Sequence, residues 1–375
     1  MTVPTPVDTE LHLHDAPGTL RFPVGWLLER AAPPIQYRAA VDVAGLTVES
    51  AKLSVLPHSY PPALALAVRQ GSDGTWNRAM LAPPASRGDP FDSVGTVPAL
   101  RRLLEYGWEV DSPPILHARR PLFRLLAEDA DPAFAYELAP ADRGDVEGAR
   151  RARTTLREAA AAALAQAGHE KDPRVRGAAA RIARRLEAFL GSPLAESPFV
   201  RAGGAQVLHD EACPPTLHSL LMLAHMPLFQ REWAELLDAL ASYLGRPAPR
   251  HAPAVLAGRV VVPMPHVVLG DPLAGAATAE GDLPFTLAWL ELVARLGLLR
   301  QGTAWSAAFE RLLDECDAEG VWRPRKGESV SRSTDPFVWP SWTLEGQLSG
   351  DARYTDVTFR LGLIGRLAGW QVELA

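Results

Sequence analysis

A proline-led helix start recurs in this sequence and constrains the fold more than any other feature. Four apolar segments carry a proline where a helix would begin, at Pro98, Pro215, Pro284 and Pro340. Proline is tolerated there because the first N–H groups of a helix have no intrahelical partner. Each segment is followed by a second, usually more amphipathic one. The pattern therefore predicts repeated helix pairs.

The proline-led helices read as buried ones. The run after Pro215 includes Leu220-Leu221-Met222-Leu223-Ala224, which is apolar on every side and fits a helix that other helices enclose. Buried helices that alternate with amphipathic ones predict an all-α chain in two layers, either a closed α/α toroid of inner and outer helices or an open solenoid. We predict an N-terminal arm over residues 1–21 and a single domain over residues 22–375.

Three individual segments have local patterns of their own. The segment Val97–Tyr106 has an apolar stripe, so its opposite face is predicted to be exposed. That face carries Arg101, Arg102 and Glu105. Pro340 predicts a further helix over Trp342–Leu348. The run Arg259-Val260-Val261-Val262 is the one convincing strand candidate, and an extended loop remains an open alternative.

Composition narrows the class of protein. The chain has 375 residues and a net charge of −6, which gives no electrostatic case for a nucleic-acid partner. No apolar run is long enough to predict a transmembrane segment. Two cysteines, Cys213 and Cys316, cannot form a disulfide framework and are typical of a reducing compartment. Without a leader-like N-terminal pattern, we expect a cytoplasmic protein.

A compact turn occurs twice. Gln70–Trp76 reads QGSDGTW, and Asp317–Trp322 reads DAEGVW. The acidic residue can accept from exposed N–H groups, glycine supplies a positive φ, and tryptophan can pack back between helix pairs. Taken alone, both turns are predicted to be structural.

The first turn resembles the Gln-Trp-type repeat of squalene–hopene cyclases and their relatives. The second resembles it less closely, because Glu319 precedes the glycine and no glutamine precedes the turn. The segment Gly25–Arg38 is also similar to the opening of bacterial proteins described as squalene-cyclase-like or prenyltransferase-like. The resemblance implies an α/α toroid with an aromatic central cavity that binds an isoprenoid-like or other hydrophobic small molecule.

The catalytic motifs of that superfamily are missing. The sequence has neither the Asp-x-Asp-Asp motif of the protonating cyclases nor the Asp-Asp-x-x-Asp motif that holds diphosphate through Mg²⁺. Asp314-Glu315-Cys316 has the spacing of a prenyltransferase zinc site, but no histidine follows it. We therefore predict no cofactor. Whether the chain is an enzyme stays open, with non-metal acid–base chemistry as the possible mechanism.

Polar groups precede each predicted inner helix, and a closed ring would gather them at one mouth of the cavity. Asp335 is the leading candidate general acid, because desolvation among tryptophans raises a carboxyl pKa. The other candidate catalytic residues are His209, Asp210 and Glu211. The candidate ligand-binding residues are Trp322, Trp339, Trp342, His218, Met222, His225 and Asp282. A weaker alternative is a metal site formed by Asp210, Cys213 and His218.

Two other functional classes remain open. Pro34–Ala40 and Asp172–Ala179 resemble the helix starts of HEAT repeats, which implies an open protein-interaction scaffold with a protein partner and no catalysis. A carbohydrate-active (α/α)6 enzyme is a further alternative, and it requires paired carboxylates in a cleft.

Overall fold

The computed structural model describes residues 18–47, 53–127, 146–202, 204–257, 259–274, 282–324, 330, 333, 335–346 and 349–375, and the chain is mostly α-helical. The helices are α1 (Val24–Arg30), α2 (Pro33–Arg38), α3 (Leu56–Ser59), α4 (Pro61–Ala67), α5 (Thr96–Glu105), α6 (Pro113–Ala127), α7 (Val146–Gln166), α8 (Pro173–Leu190), α9 (Leu217–Ala224), α10 (Pro227–Glu232), α11 (Ala234–Leu244), α12 (Leu283–Arg295), α13 (Thr303–Leu313) and α14 (Thr355–Leu367). A π-helical turn, Ala39–Val43, continues α2. Short 3-10 turns occur at Leu53–Val55, Pro90–Asp92, Pro193–Ala195 and Gly350–Tyr354.

Six short strands supplement the helices. They are β1 (Thr19–Phe22), β2 (Phe199–Ala202), β3 (Ala205–Leu208), β4 (Ala254–Ala257), β5 (Val260–Pro263) and β6 (Gln371–Leu374). β2 pairs with β3 and β4 with β5 in antiparallel hairpins. The candidate strand is thus a strand, and it becomes β5. The prediction that strands are otherwise absent is wrong, because strands of four residues are too short to show a clear alternating pattern.

The two ends of the described chain meet. β1 pairs in parallel with β6, with Thr19 opposite Gln371 and Phe22 opposite Leu374. Residues 19–21, which the sequence assigns to the arm, therefore belong to a two-stranded sheet with the C-terminal segment. The pairing joins the first and last elements that the structure describes.

The helices pack in a regular order of neighbours. α5 packs against α7, α7 against α9, α9 against α12, α12 against α14, and α14 against the π-helical turn after α2. A second set covers them: α6 and α8 pack on α7, α11 packs on α8, and α13 packs on α14. The first set is the more buried; in α14 the run Thr355–Gly365 is buried without a break. Most buried apolar side chains form one continuous core.

The buried helices also end alike. α5, α7, α12 and α14 each run into a glycine at positive φ, namely Gly107, Gly168, Gly297 and Gly369. In each case the N–H of the following residue donates back to the carbonyl five positions earlier, as in Trp108 to Leu103 (3.1 Å) and Leu298 to Val293 (2.8 Å). This hydrogen bond is the mark of the Schellman motif. The repetition shows that the chain is built from recurring helix units.

The two turns at Gln70–Trp76 and Asp317–Trp322, which share an acidic residue followed by Gly-x-Trp, make the same contacts. The Trp76 N–H donates to the Thr96 hydroxyl at the start of α5, and the Trp322 N–H donates to the Thr358 hydroxyl in α14. Both indoles are buried, and each ring N–H finds an acceptor, the carbonyl of Leu66 (2.8 Å) or the carboxylate of Glu315 (2.9 Å). The turns fasten one buried helix to the segment before it.

Close backbone contact explains the glycine in each turn. A Cβ on Gly74 would lie 2.4 Å from the His117 carbonyl oxygen, and one on Gly320 would lie 2.2 Å from that of Arg21. Their φ angles are +85° and +88°. Only glycine combines that conformation with that approach.

Candidate functional site

Six charged side chains from four helices meet inside the helical core. The ion cluster consists of Arg38 on α2, Arg101 and Glu105 on α5, Glu291 and Arg295 on α12, and Arg360 on α14. Arg38, Glu105 and Arg360 expose only 6%, 6% and 2% of their surface. Buried charges at this density require pairing, and most of them are paired.

The two carboxylates each bind two arginines. Glu105 accepts from Arg38 and from Nη2 of Arg360, the latter at 2.8 Å. Glu291 accepts from Arg360 and from Nε and Nη2 of Arg295, at 3.0 and 2.9 Å. Arg360 thus bridges α5, α12 and α14.

The electrostatics of the cluster favour its charged forms. Burial alone raises the pKa of Glu105, but Arg38 and Arg360 outweigh burial and hold that pKa well below its usual range. Burial likewise opposes ionisation of Glu291, and Arg360 and Arg295 lower its pKa overall. Burial lowers the pKa of Arg360, and the two carboxylates raise it overall. The bridged carboxylates are therefore ionised at neutral pH.

Arg101 is the exception. It is 7% exposed, and its Nε donates to the Gln166 side-chain oxygen at 2.9 Å. Within the described residues it forms no ion pair with a carboxylate. Its guanidinium lies 5.4 Å from the ring centre of Phe337. Burial lowers the pKa of Arg101 to about 10, against the opposing pull of Glu105 and Glu291.

A small cavity adjoins Arg101. Its volume is about 30 Å³. Its lining consists of Arg101, Glu105, Gln166, Leu221, His225, Ala288, Glu291, Leu292, Arg295, Phe337 and Ser341. This is room for about one water molecule or one small anionic group. Neither ring nitrogen of His225 has a hydrogen-bond partner in the described part of the chain, and burial together with Arg295 lowers the pKa of His225 to about 3. His225 is therefore neutral at pH 7.

The loop Asp335–Leu344 covers this cavity, with Phe337 and Ser341 among the lining residues. Nη1 of Arg102 donates to the carbonyls of Trp339 (2.9 Å) and Pro340 (3.3 Å), and Nη2 donates to that of Thr343. Arg360 donates to the carbonyl of Ser341 at 2.6 Å. Arginines of the core thus hold the loop by its backbone.

The predicted helix over Trp342–Leu348 is wrong as far as residue 346, where the described part ends. The N–H groups of Leu344 and Glu345 donate to Asp356 at 3.1 and 3.0 Å. Together with the arginine-bound carbonyls, these bonds satisfy the backbone groups that a helix would use. Side chains from distant helices therefore replace the helical hydrogen bonds.

Asp335 lies at the start of this loop. Its carboxylate accepts from the Phe337 N–H at 2.8 Å, and its own N–H donates to the Ser333 hydroxyl at 3.1 Å. Ser333 in turn donates to Asp282, the residue that caps the start of α12, at 2.7 Å. Burial raises the pKa of Asp335, and the nearby Asp282 raises it further. The structure therefore brings two predicted site residues, Asp335 and Asp282, together.

The predicted tryptophans separate into two places. Trp339 is half-buried and pairs edge-on with Phe91, with Arg102 5.3 Å from its ring centre. Trp342 is buried in the same loop. Trp322 belongs to the Asp317–Trp322 turn and packs against Tyr354. Two of the three thus accompany Asp335.

The segment His209–Cys213 lies beside a different cavity. Asp210 is exposed and pairs with Arg151 at 3.0 Å, and the N–H of Glu211 donates to His209 Nδ1 at 3.1 Å. Asp210 and Cys213 line a lateral pocket, but His218 of the proposed metal set does not. Among the residues that the structure describes, no three histidine, cysteine or acidic side chains converge as metal ligands.

Three candidate ligand-binding residues, His218, Met222 and His225, lie on or just after α9 and are largely internal. Met222 is fully buried, and Nδ1 of His218 is buried without a hydrogen-bond partner within the described chain. Burial lowers the pKa of His218 to about 3. Of these three residues, only His225, just past the end of α9, lines the cavity beside Arg101.

The prediction that Arg101, Arg102 and Glu105 face solvent is wrong, since each is at most 7% exposed. The stripe pattern fails because both faces of α5 are buried. Apolar side chains cover one face, and arginines, the Gln166 amide and backbone carbonyls bind the charged groups of the other. A signal for the rest of the cluster is visible in the sequence. Glu291 and Arg360 are isolated charges within apolar helices, where a charge is expensive unless it is paired.

Comparisons with protein-family models, with curated proteins and with solved structures found no match to this chain. No helix in the described ranges is both long and apolar enough to cross a membrane.

Proposed function

We propose that this protein is a closed α/α ring that binds a small molecule through an anionic group held at Arg101. The observation that carries the proposal is a buried arginine that lines a cavity without a carboxylate partner. The proposed ligand is an isoprenoid-like or other hydrophobic molecule, and the proposed location of the protein is the cytoplasm.

The packing order supports the ring. The buried helices follow one another from α5 to α14 and on to the turn after α2. The ion pair between Arg38 on α2 and Glu105 on α5 supplies the link between the last and first members of that series. The pairing of β1 with β6 joins the chain ends. A HEAT-like solenoid does not require such links, and it remains the alternative.

The charges around the cavity support an anionic group. Arg38 is matched by Glu105 and Asp42, Arg360 by Glu105 and Glu291, and Arg295 by Glu291. Arg101 alone has no such match within the described residues. Burying an unmatched charge costs several kcal/mol, on the order of the penalty for breaking a buried ion pair. A bound carboxylate or phosphate would offset that cost with charge-assisted hydrogen bonds.

The residues around Arg101 indicate the chemistry of the rest of the ligand. Phe337, Leu221, Ala288 and Leu292 line the same cavity, and the loop with Trp339 lies above it. Since the cavity has room only for the anionic group, the body of the ligand would lie against the underside of this loop. A hydrophobic molecule with an acidic head group fits both parts of the site.

Isothermal titration calorimetry tests the proposal. The ligands are a ten-carbon isoprenyl monophosphate, the matching carboxylic acid and the matching alcohol. We expect the two anions to bind the wild type and the alcohol to bind at least tenfold more weakly. Arg101→Met should remove this preference, and Arg120→Met, on an exposed arginine of α6, should keep it. Equal binding of all three ligands, or unchanged anion binding by the Arg101 variant, would refute the proposal.

A second candidate function is acid catalysis by Asp335. The specific observation is its half-buried carboxyl, whose pKa is raised by burial and by Asp282 across Ser333. A raised pKa increases the protonated fraction of a carboxyl at a given pH, and the protonated form can donate a proton to a bound substrate. The test is conversion of the isoprenyl ligands by the wild type and by Asp335→Asn. Catalysis requires product from the first and none from the second.

A further inference from the structure

A second cavity lies to the side of the ion cluster, and the ligand proposed above does not use it. It is enclosed by α7, α8, the segment before α9 and the two antiparallel hairpins, and its volume is about 110 Å³. Leu208, Val255, Met264 and Val267 form its apolar wall, and Glu158, Thr216, Cys213 and His266 lie on its polar side. At roughly 30 Å³ per water molecule, it has room for a compact organic molecule.

Two ion pairs account for four of the five charged side chains that line this cavity, and the fifth, Arg150, is exposed. Glu158, whose side chain is 4% exposed, pairs with Arg185 and accepts from the Thr216 hydroxyl at 2.6 Å. Arg151 pairs with Asp210 at the rim. The buried charge of this cavity therefore has its counter-ion within the protein, which distinguishes this cavity from the one at Arg101.

His266 has hydrogen-bonding capacity to spare. No side-chain partner of its ring exists in the described part of the chain, and the His218 ring centre lies 6.1 Å away at a tilt of 31°. Burial lowers the pKa of His266 to about 4, so the ring is neutral at pH 7. A neutral imidazole offers one donor and one acceptor.

The backbone fixes His266 in this position. The Leu217 N–H donates to the His266 carbonyl at 2.7 Å, and the Val268 N–H donates to the Pro215 carbonyl at 2.8 Å. The segment with His266 is thereby clamped to the start of α9. The polar side of the cavity is thus pre-formed, as is usual in small-molecule sites.

We infer that the lateral pocket binds a small uncharged organic molecule that carries one hydroxyl or carbonyl group, with His266 as its hydrogen-bond partner. The apolar wall takes the hydrocarbon part. The buried ion pair disfavours an ionic ligand, because Glu158 and Arg185 already bind each other and would not offset the desolvation of a charged group.

Saturation-transfer NMR titration of the full chain with phenol, benzene and benzoate tests the inference. We expect phenol to bind at least tenfold more tightly than benzene and benzoate. His266→Phe, which keeps a ring but removes its polar atoms, should reduce phenol binding about tenfold. Val255→Trp should fill the pocket and abolish phenol binding. The Arg101→Met variant should bind phenol as the wild type does, which separates this site from the anion site.

Three results would overturn the inference. They are no phenol binding up to its solubility limit, unchanged phenol binding in folded Val255→Trp protein, and tighter binding of benzoate than of phenol. Circular dichroism and the melting temperature establish that each variant is folded. Should Val255→Trp fail to fold, the His266→Phe comparison still decides, because that change keeps an aromatic ring at the position and removes its polar atoms. Unchanged phenol binding by His266→Phe would then overturn the inference.

Discussion

Arg101 donates to Gln166 at 2.9 Å. Among the described residues, this neutral amide is the one side-chain hydrogen-bond partner of the buried Arg101 guanidinium. Because no carboxylate pairs with Arg101, replacing it with methionine should remove a desolvation penalty without breaking an ion pair. We expect Arg101→Met to leave the free energy of unfolding unchanged or to raise it by about 1–4 kcal/mol. Urea denaturation monitored by tryptophan fluorescence measures the change.

Arg360→Met is the matched comparison for that prediction. This change leaves Glu105 and Glu291 without the arginine that bridges them. Removing one partner of a buried ion pair costs about 3–5 kcal/mol. We therefore expect Arg360→Met to destabilise the protein strongly. An equal loss in both variants would show that Arg101 is structural.

The turns at Gln70–Trp76 and Asp317–Trp322 yield a prediction about backbone contact. Gly74→Ala and Gly320→Ala each place a Cβ against a carbonyl oxygen, at 2.4 and 2.2 Å. Gly297→Ala is the control, since its φ is +73° and nothing lies within 4 Å of its Cβ. The control should lose only about 1 kcal/mol from the left-handed backbone, and the turn variants should lose about 2 kcal/mol more through the clash. Similar melting temperatures for all three would contradict this account.

Those turns are also where sequence reasoning succeeded. The acidic residue, the glycine and the tryptophan act within a few positions of one another, so their roles can be predicted locally. Asp317 accepts from the N–H groups of Glu319 and Val321, and the indole of Trp322 is buried, as the pattern predicts. The mostly helical class followed in the same way from helix starts and apolar runs.

The ion cluster could not be predicted in that way. Arg38, Glu105, Glu291 and Arg360 lie far apart in the chain. Local spacing can suggest the pairs Arg38–Asp42 and Glu291–Arg295, but nothing near these residues reveals the pairs between helices. On α5 the charged face looked solvated, because a buried ion pair and an exposed charge share the same pattern. By local rules Pro340 predicts a helix. None forms there, because Arg102 and Asp356 bind the backbone groups that the helix would use.

The histidines of α9 predict sensitivity to acid. In the folded protein the pKa values of His218 and His225 are lowered to about 3, against 6.5 for an unperturbed histidine. Below pH 6.5 the unfolded chain binds protons that the folded chain does not, so stability falls as the pH drops from 6.5 towards 3. Each histidine contributes a loss of about 1.4 kcal/mol per pH unit.

Urea unfolding at several pH values between 7 and 4 measures this loss. His225→Gln should flatten the pH dependence of stability relative to the wild type. The control is His58→Gln, on α3 and away from the ion cluster, which should follow the wild-type curve. Parallel curves for the wild type and His225→Gln would show that His225 is not held neutral.

Asp356 predicts a pH dependence of the opposite sign. It is 1% exposed and accepts from the N–H groups of Leu344 and Glu345, and burial raises its pKa to about 6 from 3.8. The folded state therefore favours the protonated carboxyl. Its contribution to stability is full below pH 3.8 and is lost as the pH rises to about 6. The shift of about two pH units corresponds to about 3 kcal/mol.

Asp356→Asn isolates this contribution, because an amide keeps one acceptor for the loop but does not titrate. The difference in the free energy of unfolding between the wild type and Asp356→Asn should move by about 2 kcal/mol in favour of the variant between pH 4 and pH 6.5, which is most of the full shift. A constant free-energy difference across this range would mean that Asp356 is already ionised at pH 4, held in that state by Arg360 and Arg102.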